Sequence, residues 1–284
     1  MPPTTRSCRS CLLAGVVFLS LVATWARHDV VAADEKTDAA SNVAEQNDRY
    51  VVQEDHDPNG IGKFYMGREI AHVMGFAAAG WLERPQREQE EGLTKLVAAL
   101  KLKPGMVVAD IGAGSGRISI MMANKVGDKG KVLAVDVQEE MLTLMAKKLD
   151  EQKVKNVEPV LGTTKSPRLK TNSVDLALMV DVYHEFDFPY EMLSEIVKSL
   201  KPEGRVVFVE YRREDPKVRG MIKLVHTMTE AQVKKEASLP EFGLKWKETI
   251  GVLPVQHIIV FERRSESKSP PSPSGDQSST SSKQ

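Results

Sequence analysis

The chain has 284 residues, 41% of them apolar and 27% charged, and its 39 basic and 39 acidic side chains cancel to zero net charge. This balance argues against a mostly disordered chain, a collagen-like fibre or a multi-span membrane protein, and it lacks the basic excess of a nucleic-acid binder. The only cysteines, Cys8 and Cys11, lie near the N-terminus, so a disulfide scaffold, a cysteine-rich metal site and a cysteine nucleophile are excluded beyond them.

Arg6 and Arg9 precede an uncharged, mostly apolar run from Leu12 to Trp25, and Val31-Ala32-Ala33 then supplies small residues for cleavage. The run is short for a membrane span and suits a signal peptide, so residues 1–33 read as an export signal. An uncleaved N-terminal anchor is the rival reading, and a start assigned too early would leave the domain in the cytoplasm. The expected location is therefore exported, periplasmic or extracytoplasmic. Residues 34–49 are polar and acidic and read as a flexible linker. Residues 264–284 are rich in Ser, Pro and Lys, have little apolar surface to bury, and read as a disordered tail.

Residues 50–104 are expected to form an N-terminal helical lid. Ile70, Val73, Met74, Ala77 and Ala78 predict a helix over 67–82, closed by Pro85. Leu93, Leu96, Val97 and Leu100 predict a second over 86–100, ended by Pro104-Gly105. Strands and helices then alternate through residues 105–263. Strands are predicted at 106–111, 131–137, 157–161, 174–180 and 205–211, and helices at 115–126, 139–152, 190–200 and 229–237. Thr229 and Gln232 form a candidate capping box. Two last strands, at 245–251 and 255–262, flank Pro254 as an antiparallel pair. The expected fold is α/β: a seven-stranded, mostly parallel open sheet with helices on both faces.

The most informative segment is Asp110-Ile111-Gly112-Ala113-Gly114-Ser115-Gly116-Arg117, between a buried strand and a helix. Glycines permit a sharp turn and close approach to a ligand, and the helix N-terminus offers free N–H groups. The nicotinamide-type fingerprint requires Gly or Ala where Arg117 stands, and no Gly-Lys-Ser/Thr follows for a nucleoside triphosphate loop. Asp136 ends the next strand, where a carboxylate can accept both hydroxyls of a ribose.

In these motifs the chain, from about residue 90 to 262, resembles the class I S-adenosylmethionine-dependent methyltransferases (methyltransferase type 11), with a Rossmann-like methyltransferase fold. It is most similar to the small-molecule branch that includes quinone-biosynthesis and arsenite methyltransferases. It is closer still to exported bacterial methyltransferases that share Phe64-Tyr65-Met66-Gly67-Arg68-Glu69 and Asp181-Val182-Tyr183-His184-Glu185-Phe186. The resemblance implies S-adenosyl-L-methionine as cofactor. It implies that Asp110, Gly112, Ala113, Gly114 and Gly116 form the first motif and that Asp136 binds the ribose. By the same resemblance Val137 flanks the adenine, with Met141 near it, and Asp181 faces the methionine part. Gly162 and Thr163 fall where many relatives carry an acid for the adenine amino group; here that acid is missing, and Thr163 is left to make a single hydrogen bond.

Candidate catalytic residues follow the fourth strand: His184, Glu185 and Tyr183. His184 reads either as a proton acceptor or as a loop histidine bonded to backbone, Glu185 as its orienter or as a base itself, and Tyr183 as a pocket wall. Tyr65 and Arg68 are candidate pocket residues from the lid, and Arg212 and Arg213 either recognise an anionic acceptor or belong to a solvated loop. No metal is expected, because His72, His184, His226 and His257 are dispersed and lack ligand spacing. The expected function is methyl transfer to a small molecule. The alternatives are a protein or peptide methyltransferase and a non-catalytic binding module. No nucleic-acid partner is expected, and no membrane contact beyond the signal or anchor segment.

Overall fold

The computed structural model describes residues 49–264; the predicted signal, nearly all of the linker and the tail lie outside them. The first described segment departs from the expected helical lid. Residues 50–71 form a three-stranded antiparallel sheet of β1 (Tyr50–Val52), β2 (Gly60–Tyr65) and β3 (Arg68–Ala71). The reason is the hairpin turn Met66-Gly67, whose φ angles are 50° and 94°. Two consecutive left-handed residues match the turn that suits paired strands, and they place Tyr65 opposite Arg68. Within residues 50–104, helical structure begins at Phe76. Short helices at Ala79–Leu82, Arg87–Glu91 and Leu93–Ala99 replace the two long ones predicted, the last two being parted at Gly92.

The alternating region folds as the sequence predicts. The strands β4 (Val107–Ile111), β5 (Lys131–Asp136), β6 (Val157–Leu161), β7 (Val174–Val180), β8 (Leu200–Tyr211), β9 (Leu244–Ile250) and β10 (Gln256–Arg263) form one sheet in the order β6-β5-β4-β7-β8-β10-β9. The pairs from β6 to β8 are parallel, and β10 runs antiparallel to both β8 and β9. Pro159 is tolerated in β6 because that strand lies at the sheet edge.

The period of two along the strands builds a core on each face of the sheet. Val108, Leu176, Leu178, Val207, Val209, Ile258 and Val260 pack on one face against Leu93, Leu96, Met122 and Met145 from helices. Their neighbours Ala109, Ala177, Met179, Val206, Phe208, Ile259 and Phe261 pack on the other against Leu193, Ile196 and Val233. Burial on both faces explains the nearly unbroken apolar runs of β7, β8 and β10.

A buried ion pair helps tie the N-terminal sheet to the rest of the domain. Arg68 Nε and Nη2 donate to Glu236 at 2.7 and 3.1 Å, and Glu236 is fully buried on the helix Glu230–Ala237. Thr229 caps that helix by accepting from Gln232 N at 3.0 Å. The reciprocal half of the capping box is absent, because the Gln232 amide donates to Glu236 Oε1 at 2.8 Å instead. Glu236→Ala strands the Arg68 guanidinium in the interior and is expected to cost about 3–5 kcal/mol in urea denaturation. Replacing both residues by methionine should recover most of that loss; equal losses in the single and double variants would show that the pair is not the cause.

Candidate active site

Sheets of this type bind ligands beyond the carboxyl ends of their strands, where the connections part to opposite sides. Here that point lies between β4 and β7, and a cavity of about 360 Å³ opens there. Ile111 and Gly112 at the end of β4, Val135 and Asp136 of β5, Val180 and Asp181 at the end of β7, and Tyr211 of β8 form its floor. Val73, Met74, Trp81 and Leu82 wall one side, and Met221, Ile222, Lys223 and His226 wall another.

The glycine loop is stitched to β5. The N–H groups of Gly112 and Ala113 both donate to Val135 O, at 2.8 and 2.9 Å. Gly112 has a φ of 71°, and a Cβ there would stand 2.4 Å from Val182 Cγ2. Gly114, at φ 54°, would place a Cβ 2.6 Å from Leu82 Cδ1. Gly114 N then donates to Asp136 Oδ2 at 2.8 Å, and Gln138 N to Asp136 Oδ1 at 2.9 Å. Each oxygen of Asp136 keeps a second lone pair for a ligand hydroxyl. Burial pushes the Asp136 carboxyl up from its ordinary range, against the pull of these N–H groups.

Asp181 is a non-glycine residue at positive φ, 50°. Its Oδ2 accepts from Gln256 Nε2 at 2.6 Å, while Oδ1 is buried without a hydrogen-bond partner. Burial, and then the nearby carboxyls of Glu91 and Glu210, push its pKa well up. A buried acceptor without a donor, on the wall of a cavity, is complementary to a cationic or N–H group of a ligand.

The turn after β7 sorts its residues. His184 and Glu185 line the cavity. Tyr183, the third candidate catalytic residue, does not: it is fully buried, and its ring packs edge-on to Phe186 and Phe208 in the core. His184 Nδ1 lies 2.6 Å from Glu210 Oε2, and Arg68 Nη1 donates to the His184 carbonyl at 3.3 Å. Burial drives His184 down to about 3 and Glu210 up to about 8, so both groups resist charging.

Among the expected cofactor residues, Gly112, Gly114, Asp136, Val137 and Asp181 line the cavity. Ala113 and Gly116 shape the loop from behind, Gly116 against Met145. Asp110 is buried beneath the loop and accepts from Ser119 Oγ at 2.5 Å. Gly162 and Thr163 stand back from the cavity; Thr163 Oγ1 accepts from Ser166 N at 3.0 Å, and the neighbouring Thr164 takes the lining position. Arg212 is spent on the carbonyls of Leu253 and Gln256, at 3.1 and 2.7 Å, and Arg213 on Leu224 O at 3.1 Å. Tyr65 is buried away from the cavity. The expected dispersal of the histidines holds for His72 and His257 and fails for the other pair, since His226 Nδ1 lies 3.3 Å from His184 Nε2. Sequence reasoning also missed Gln138, whose amide joins Phe76 N at 2.8 Å to Met74 O at 3.0 Å and so fastens the wall segment.

The strand order, the glycine loop and the acid ending β5 together define a class I S-adenosylmethionine-dependent methyltransferase. A family model described as a methyltransferase domain matches residues 102–253, more than half of the chain, and the chain belongs to that family. The cofactor of this class is S-adenosylmethionine. Demethylmenaquinone methyltransferase from Lactococcus lactis is 31% identical over 106 residues, 37% of this chain and 42% of that protein. The protein of the same description from Bacillus cereus (strain AH187) is 27% identical over 39% of this chain and 47% of its own. The matches thus span less than half the length of these relatives. A SAM-dependent methyltransferase from Aquifex aeolicus superimposes with a TM-score of 0.62 at 25% identity, over 67% of this chain and all of its own. The [4+2]-cyclase SpnF shares the fold, with a TM-score of 0.52 at 15% identity over 61% of this chain and 80% of its own.

Two expectations follow. Gly112→Ala forces a Cβ into Val182 and should destabilise the fold by about 1–3 kcal/mol. Adding Val182→Ala should return part of that loss in thermal melts, and no recovery would locate the whole cost in the backbone angle. The second concerns Asp110, whose carboxyl burial raises to about 6. Its raised pKa adds stability that is full below the ordinary carboxylate range and is lost as pH rises through about 6. Asp110→Asn should therefore flatten the fall in unfolding free energy between pH 4 and 7.5, by on the order of 2–3 kcal/mol. An unchanged pH profile in denaturant titrations would count against a protonated Asp110.

Proposed function

We propose that the chain transfers a methyl group from S-adenosylmethionine to a small, largely apolar acceptor by in-line displacement. The bound cofactor supplies a methyl group on a sulfonium with a good leaving group. The protein's work is to align the acceptor and exclude water. In this reading Asp136 accepts the ribose hydroxyls and the loop from Gly112 to Gly116 follows the cofactor closely. Val137 and Met141 flank the base, and Asp181 Oδ1 accepts from the amino group of the methionine part.

The observation that carries the small-molecule reading is the double wall over the strand ends, from residues 73–82 on one side and 221–226 on the other. A walled cavity suits a small acceptor better than a peptide strand, which needs an open groove. Phe186, Met192, Met221 and Ile222 give its acceptor end an apolar lining. Relatives named for the methylation of demethylmenaquinone, an apolar compound, point the same way. His184 and Glu185 are the polar groups that meet the nucleophilic atom. Glu210 Oε2, 2.6 Å from His184 Nδ1, orients the imidazole at the acceptor end.

Calorimetric titration of the full chain with S-adenosylhomocysteine should show one site per chain. Asp136→Ala should weaken it by about 10- to 100-fold, the worth of one or two hydrogen bonds to a charged acceptor. A folded sample that binds neither cofactor nor product would refute the reading.

A further inference from the structure

The acceptor end of the cavity holds a cluster that methyl transfer from a sulfonium does not require. His184 Nε2 lies 3.3 Å from His226 Nδ1 and 3.9 Å from Glu185 Oε1, and His226 Nδ1 lies 3.5 Å from the same oxygen. All three residues line the cavity. We propose that His184, Glu185 and His226 bind one divalent first-row transition cation at the acceptor end of the cavity, with Glu210 as the carboxylate that positions His184.

Spacing is the first argument. A cation held at 2.0–2.1 Å by three tetrahedral ligands sets the ligand atoms roughly 3.4 Å apart. The three separations fall about that value, so a cation fits with side-chain adjustments of tenths of an ångström. Donor chemistry is the second. Two imidazoles and one carboxylate suit zinc, ferrous iron or cobalt, whereas magnesium and calcium prefer all-oxygen sites. The support behind the ligands is the third. Histidine ligands are commonly oriented by a carboxylate on the other ring nitrogen, and Glu210 meets His184 Nδ1 at 2.6 Å. The Arg68 guanidinium fixes the backbone of the same residue through its carbonyl, at 3.3 Å. A bare hydrogen bond between the two imidazoles explains less. It leaves Glu185 Oε1 at 3.5 and 3.9 Å, beyond a good hydrogen bond to either ring.

His184 and Glu185 are buried and all three residues line the cavity, so the cation's remaining position would open to it. The open position faces the acceptor, so the site selects compounds that present a hydroxyl or thiol beside an apolar body. Coordination fixes that atom and makes its proton easier to lose.

The test is a Co²⁺ titration of the full chain, stripped with chelator and free of any purification tag. The expected result is one Co²⁺ per chain, with visible d–d absorption of a low-coordinate nitrogen and oxygen site, displaced by Zn²⁺. His226→Ala, the most exposed of the three, and Glu185→Gln should each weaken binding at least 10-fold. Glu210→Gln should weaken it 10- to 100-fold through the second ring nitrogen. Titration of each sample with S-adenosylhomocysteine reports folding and the cofactor half separately, so failure of this proposal is distinguishable from failure of the cofactor assignment. A folded wild type that shows no saturable Co²⁺ binding would overturn the site, as would Co²⁺ binding that survives both His226→Ala and Glu185→Gln.

Discussion

One guanidinium ties together the N-terminal hairpin, the helix before β9 and the turn after β7 that carries His184 and Glu185 to the cavity. Arg68 comes from the N-terminal hairpin, Glu236 from the helix before β9, and the carbonyl it also reaches belongs to His184 in the turn after β7. Its ring contact with Tyr183, 5.2 Å from guanidinium to centroid, adds a fourth attachment in the same turn. A planar donor fork can serve a carboxylate and a carbonyl at once, which a lysine cannot do. The N-terminal sheet has little core of its own, since β1 is mostly exposed and three strands are few. The buried ion pair therefore does two things: it anchors that sheet to the domain, and it fixes the backbone on which His184 and Glu185 stand.

The strand ends are unusually acidic for an interior. Glu91, Asp110, Asp136 and Glu210 are buried there, and Asp181 stands among them. Some of this charge is answered within the chain: Arg84 and Arg87 bond Glu91 at 2.5 and 2.8 Å. The rest has no lysine or arginine in ion-pair contact among the described residues, and burial pushes the carboxyls of Asp110, Asp181 and Glu210 up from their ordinary range. Unpaired acids in a core cost stability and do not arise from the demands of folding. In the proposed reading, a cofactor with a sulfonium and an ammonium, and a cation at the acceptor end, would bring the missing positive charge. Both halves of the cavity show the same imbalance, which a ligand in each would correct.

The sequence disclosed most clearly what is buried on two faces. β7, β8 and β10 announce themselves as apolar runs because neighbours cover both of their sides. The glycine loop and Asp136 were legible for a different reason, since each residue type there answers a local geometric need. The N-terminal hairpin was hidden because Ile70, Val73 and Met74 mimic a helical period, and only the left-handed pair Met66-Gly67 contradicts it. Tyr183 and His184 could not be separated by pattern: a short 3-10 turn sends one ring into the core and the other to the cavity. His226 was invisible as a partner of His184, because 42 residues of chain return to the same point only through the segment after β8. Spacing in sequence finds ligand sets within one element, and this set spans two.

The short segment from Asp181 to Phe186 makes the two halves of the cavity one device. Asp181 turns the chain with a left-handed backbone, held by its N–H to Val209 O at 2.8 Å. Val182 then packs where a Cβ of Gly112 would stand, so the cofactor loop and this turn are in contact. Glu185 N closes the turn on Val182 O at 2.9 Å, and His184 and Glu185 emerge toward the acceptor. Displacement in line tolerates little misplacement, and an error of about 1 Å can cost 100-fold in rate. In the proposed reading, the cofactor's amino-group partner and the acceptor's polar contacts stand on six consecutive residues, which sets that distance by local covalent geometry. It does not then depend on the relative placement of two distant elements. On that reading, the left-handed turn at Asp181 serves the alignment it fixes.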